Sequence, residues 1–170
     1  MRPDSVIRPR CYHDVMKIRI DTLTIEDADI VFDWVLRLLQ ELGEEGEELG
    51  ELDRKAVLSA WMQRKDLYHV LVARESKGQI VGVLTLSVGF AIYANGEYGV
   101  IDEMYVDPTY RSGGVGAMLV DAAISIGKEK GWNRIDVTAP ESERWARTRR
   151  FYEKLGFIFT GPKLKRLLQV

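Results

Sequence analysis

The sequence predicts a single α/β domain built on a mixed sheet of six to seven strands flanked by about four helices. Three observations carry this. The 170 residues are the length of one ordinary domain with no compositional bias toward disorder. Three consecutive β-rich runs in the first half are joined by short connections, as antiparallel strands are. In the second half, strand-like and helix-like runs alternate around a glycine-rich turn, the order that brings strands together in parallel.

The elements follow in order. "MRPDSVIRPRCYHD" has two prolines, several charges and no apolar core of a signal peptide, so residues 1–15 read as a loose tail, with Met16 a candidate start and 16–170 the domain. "MKIRIDTL" alternates as a strand does, and after Thr24 the residues Ile25, Ala28, Val31, Phe32, Val35 and Leu39 recur at helical spacing. "ELGEEGEELGELD" is an acidic loop, followed by a second helix through Val57, Leu58 and Trp61. "YHVLVARE", "QIVGVLTLSVGF" and "YGVIDEMYV" are three strands, the last running into Asp107-Pro108. Val115, Met118, Leu119, Ala122, Ala123 and Ile126 form one apolar helical face that stops at Gly131. "RIDVTA" makes a strand, "SERWARTRRFYEKL" a helix ended by Gly156, and "FIFTGPKLKRLLQV" a short strand, a turn and a further strand.

Composition excludes several classes of function. A net charge of −2, with no basic segment interleaved with aromatics, leaves no electrostatic footprint for nucleic acid. Cys11 is the only cysteine, which rules out an internal disulfide and argues against a zinc site. The apolar stretches are too short to span a bilayer, and a soluble cytoplasmic protein without a metal is expected. His13 and His69 show no metal or triad spacing, and His69 reads as a structural residue of a strand.

The chemistry concentrates at "YRSGGVGAML". Gly113, Gly114 and Gly116 lack the Lys-Ser/Thr of a nucleoside-triphosphate loop, and Leu119 stands where the dinucleotide fingerprint needs its third glycine. What remains is a turn of outward N–H groups flowing into a helix N-terminus, a cradle for an anion such as phosphate.

A strand ending in V-D-P-x-Y before R-x-x-G-x-G, here "EMYVDPTYRSGGVGAMLV", with "FYEKLGF" further on, resembles the GCN5-related N-acetyltransferase (GNAT) family. The resemblance extends in element order from about Met16 to the C-terminus, although residues 17–95 match only in outline. It implies transfer of an acetyl group from acetyl-CoA to an amine, on a sheet whose central parallel pair splays apart. By that resemblance the backbone of Arg111, Ser112, Gly113, Gly114, Val115, Gly116 and Ala117 wraps the coenzyme's pyrophosphate. It also implies that the Met104 N–H meets the thioester oxygen, that Val106 bonds the pantetheine arm, and that Tyr105 lies between them. Trp145 stands where many members carry a coenzyme-contacting asparagine, which would replace a polar contact by apolar packing. Arg144, Arg147, Arg149 and Arg150 are either further phosphate contacts or a solvated helix face.

Acetyl transfer needs an acid for the departing thiolate, and Tyr152 matches the family's usual one. It needs an outlet for the amine's proton. "IDEMYV" offers Asp102 and Glu103, which side-chain alternation sends to opposite faces; the resemblance to polyamine-type members favours Asp102, with Glu103 the fallback. The family places the acceptor beside the acidic segment, here including Glu44, Glu45 and Glu48, a field that attracts cations. The expected acceptor is therefore a small cationic amine. A peptide or protein acceptor, and a non-catalytic module that binds an acyl-coenzyme A, are the alternatives. Dimers are common in the family, and a homodimer is compatible with the resemblance.

Overall fold

The computed structural model describes residues 18–43, 52–139 and 143–161. Five strands form one sheet in the order β1-β2-β3-β4-β5: Arg19–Thr22, Tyr68–Arg74, Ile80–Ala91, Gly96–Val106 and Ile135–Val137. The first four pair antiparallel, and β5 joins β4 in parallel after the crossover helix α3, Val115–Glu129. Helices α1, Ala28–Leu42, and α2, Arg54–Met62, cover one face; α3 and α4, Ala146–Lys154, cover the other.

Alternation along the strands divides the apolar residues between two cores. Leu71, Leu84, Leu86 and Ile101 pack with Leu119, Val120 and Ala123 of α3 and with Tyr152 of α4. Val70, Val72, Val83 and Tyr105 point the other way and pack with Val31 and Trp34 of α1. No helix among the described residues is long and apolar enough to cross a membrane.

Among the described residues the sheet has five strands, fewer than the six to seven the sequence suggests. Residues 157–161 form no strand, and the segment from Pro162 onward lies outside the described residues, as does the tail to Lys17. The start of this segment is engaged elsewhere: the Phe157 N–H closes α4 on the Tyr152 carbonyl at 3.1 Å, and the Phe157 ring meets Tyr152 edge-on at 5.5 Å. Ile158 is then 84% exposed, so the alternation of "FIFT" serves no ladder here.

β4 departs from regular pairing at one place. Leu84 faces Met104 and Leu86 faces Ile101, so Thr85 alone stands opposite both Asp102 and Glu103. This is a β-bulge with the extra residue in β4, which bends the strand and strengthens its local twist. The ladder to β5 covers only Gly99, Val100 and Ile101 and ends where the bulge begins.

His69 shows a cost of burial. Its Nε2 is buried without a hydrogen-bond partner among the described residues, and desolvation, with the Lys130 charge, holds its pKa below the usual histidine value. The fold therefore favours the neutral ring, and the stability this contributes is present above the ordinary value of about 6.5 and lost as pH falls below it. Denaturant midpoints are expected to drop between neutral pH and mildly acidic pH, and to drop less in His69→Phe.

Candidate active site

The bulge sets up the site by freeing one edge of β4. The Glu103 N–H donates to Thr85 Oγ1 at 2.9 Å and the Asp107 N–H to the Val81 carbonyl at 3.1 Å, both toward β3. Alternation then aims the Met104 and Val106 N–H groups at the opposite edge, beyond the point where β5 has parted from β4. A cleft of about 710 Å³ opens there between β4, the glycine turn, the end of α1 and α4.

The glycine turn forms one wall. Gly114 is the N-cap of α3 with φ of 88°, a left-handed conformation, and supplies no side chain to the first-turn amides. Gly116 lets the helix approach α4: a Cβ there would lie 3.3 Å from Phe151 Cζ. Arginines surround the turn. Arg111 donates to the Val106 carbonyl at 2.9 Å and to both Glu41 carboxylate oxygens at 2.9 and 3.0 Å. Arg147 donates to Ser112 Oγ at 2.6 Å, and Arg144 to the Glu41 carbonyl at 3.0 Å. An uncapped helix start ringed by guanidinium groups suits a group rich in phosphate oxygens.

Tyr152 forms part of the far wall, carried by α4 and 6% exposed. Its hydroxyl lies 4.0 Å from Met104 Sδ, and burial pushes the phenol's pKa upward, so it remains a proton donor at neutral pH. Asp102, Met104, Val106, Arg111, Ser112, Gly114, Gly116, Ala117 and Trp145 line the same cleft. Gly113 and Val115 do not: the Gly113 N–H closes the preceding turn on the Tyr110 carbonyl at 3.3 Å, and Val115 is buried in the core. Tyr105 borders the cleft, but its ring belongs to the α1 face, edge-on to Trp34 at 5.7 Å with its hydroxyl on Glu41 at 3.0 Å.

Glu103 faces a different cavity. The hydroxyls of Tyr68, at 3.1 Å, and Thr85 both donate to its Oε2, at the floor of a pocket of about 840 Å³ between α1 and α2. Burial raises its carboxyl above the usual carboxylate range, helped by the Asp102 charge, while the Thr85 and Tyr68 hydroxyls pull it back. Glu44, Glu45 and Glu48 lie outside the described residues.

The fold has counterparts among known proteins. A family model described as "Acetyltransferase (GNAT) family" matches residues 32–157. The chain belongs to the GNAT acetyltransferases. A curated glucosamine 6-phosphate N-acetyltransferase of Trypanosoma brucei brucei is 31% identical to it, over 76% of this chain and 92% of that protein. Among solved structures, a protein described as a transcriptional regulator from Bacillus halodurans C-125 aligns with a TM-score of 0.73 at 23% identity, covering 89% of this chain and 99% of the other. An aminoglycoside acetyltransferase from an uncultured soil metagenomic sample gives 0.70 at 21%, covering 91% and 98%. These two share the GNAT fold. As a member of this family the chain is an acetyl-CoA-dependent N-acetyltransferase.

Sequence reasoning did not single out Thr85 or Tyr68, the two residues that hold the Glu103 carboxylate. Thr85 had a signal, as the one polar residue between Ile80 and Leu86 in a run of apolar residues and one glycine. Tyr68, at the start of a strand, had none.

Proposed function

We propose that this GNAT enzyme moves an acetyl group directly from acetyl-CoA to the primary amine of a small molecule, both bound at once. The observation that carries this reading is the free β4 edge, with Met104 and Val106 N–H groups directed between a phosphate-suited turn and a buried tyrosine.

The coenzyme supplies an acetyl group activated as a thioester. The amides that open α3, with Arg111 and Arg147 beside them, hold its phosphates, and the Val106 N–H and Trp145 position its arm. The Met104 N–H donates to the carbonyl oxygen as negative charge grows there. Asp102, exposed at the cleft, takes one proton from the ammonium and passes it to solvent, which frees the nitrogen lone pair to form the new C–N bond. Tyr152 gives its hydroxyl proton to the sulfur as the C–S bond breaks, and is reprotonated by the second proton the nitrogen sheds. Glu103 holds the incoming ammonium from the neighbouring pocket.

The test is release of free coenzyme A thiol from acetyl-CoA by the purified protein over a panel of amines and amine-bearing peptides. Release stimulated by a small amine supports the reading; release with peptides alone overturns it. A pH dependence follows as well. Glu103 must be ionised to hold an ammonium, and the Thr85 hydroxyl favours the ionised form. In Thr85→Val the acid limb of the amine kcat/KM profile is expected to move to higher pH, and an unmoved limb would remove Glu103 from amine binding.

A further inference from the structure

The cavity facing Glu103 differs chemically from the donor cleft. Apart from Gln40, Tyr68, Thr85, Glu103 and the indole of Trp61, every residue lining it is aliphatic or phenylalanine. The indole N–H is already used, donated to the Tyr68 carbonyl at 3.0 Å. Its volume of about 840 Å³ falls within the range of small-molecule sites. Leu52 and Val57 line it and remain exposed, so the apolar wall continues to the surface.

Charge sorts the candidate acceptors. No lysine, arginine or histidine lines this pocket among the described residues, whereas Arg111, Arg144, Arg147, Arg150 and Lys154 line the donor cleft. A sugar phosphate would bury its phosphate here with no cation to meet it. A polyamine or aminoglycoside would bring several ammonium groups to one carboxylate, leaving the others desolvated and unpaired. One ammonium on an apolar body matches both features. Glu103 meets the charge: its Oε2 is engaged by Tyr68 and Thr85, and Oε1 stands outside that network. Its backbone neighbours are Asp102 and Met104, so an ammonium drawn to β4 arrives beside the residues of the donor cleft.

We propose that the acceptor is a primary amine carrying one bulky apolar group, aromatic or branched alkyl, which fills the pocket between α1 and α2 while Glu103 holds the ammonium. This assignment rests on the acetyl-transfer reading above and narrows the small cationic amine that the acidic segment alone suggests.

The experiment compares phenethylamine, tryptamine and isoamylamine with spermidine, kanamycin and glucosamine 6-phosphate. Thiol release reports turnover, and calorimetry in the presence of coenzyme A reports binding, for the wild type and Val57→Arg. Val57 is exposed enough to accept the substitution without unfolding, and the arginine places a cation and bulk in the pocket. The expected result is kcat/KM for the apolar amines at least about tenfold above the polar ones, lost in Val57→Arg while coenzyme A binding persists. Turnover of the polar amines with the apolar ones idle overturns the proposal and leaves acetyl transfer standing. Apolar amines that bind, lose binding in Val57→Arg and are never acetylated keep the pocket assignment and overturn the acetyl-transfer reading. Absence of both binding and turnover for the apolar amines overturns the proposal.

Discussion

Tyr152→Phe is expected to lower kcat about a hundredfold while the KM for acetyl-CoA and the unfolding midpoint stay close to wild type. The substitution removes one oxygen whose contact among the described residues is Met104 Sδ at 4.0 Å. The ring keeps its edge-on contacts with Phe151 at 5.0 Å and Phe157 at 5.5 Å, so packing is preserved. Because burial raises the phenol's pKa, the hydroxyl is protonated throughout the working range, and the loss should be the same at neutral and mildly alkaline pH. Steady-state kinetics at two pH values checks this. A variant within about threefold of wild type would mean that solvent protonates the thiolate and that Tyr152 is a packing residue.

Gly114→Val is the second large effect. A β-branched residue at φ of 88° pays for the left-handed conformation, about 1–2 kcal/mol for an ordinary residue and more for valine. The turn can relieve that strain only by rotating the amides of Val115, Gly116 and Ala117 away from their common direction. The KM for acetyl-CoA is expected to rise by at least about tenfold, with kcat at saturation changed less, because the lost contacts are to phosphates and not to the reacting carbon. Initial rates over a range of acetyl-CoA concentration separate the two. Equal loss in both constants would place the turn in the chemical step instead.

How much of this was legible depends on the range of the interactions. The glycine turn is a local device: two glycines before an apolar helical face and a third in its first turn specify a bare, open helix start without reference to the rest of the chain. Strand and helix order likewise follows from period. The bulge is different. Asp102 and Glu103 are ordinary strand residues in the text, and the extra residue appears only when β4 is registered against β3. The strand expected at residues 157–160 fails for a similar reason, since alternation in "FIFT" cannot say whether an edge is available or whether Phe157 is already closing α4. The pocket between α1 and α2 was hidden most completely. Ala28, Val31, Phe32, Val35 and Leu39 recur at helical spacing in the sequence, yet only Ala28 and Val31 of these are buried. All five line a cavity, and an apolar helix face looks the same in sequence whether it meets side chains or a ligand.

One helix borders both cavities. Leu38, Glu41 and Leu42 of α1 line the donor cleft, while Val35, Leu36 and Leu39 line the pocket beside it. Glu41 fastens the end of that helix to the glycine turn through Arg111, to the segment that leads into α4 through Arg144 and to β4 through Tyr105. On the proposed sites, a donor that reorganises these arginines would act on a shared partition, and the two ligands would be thermodynamically linked through it. Reciprocity then fixes the size of the effect in both directions: the factor by which a bound coenzyme changes the amine's dissociation constant is the factor by which the amine changes the coenzyme's. On the proposed assignment this helix bears on specificity and cooperativity at once, and substitutions along it are expected to alter both together.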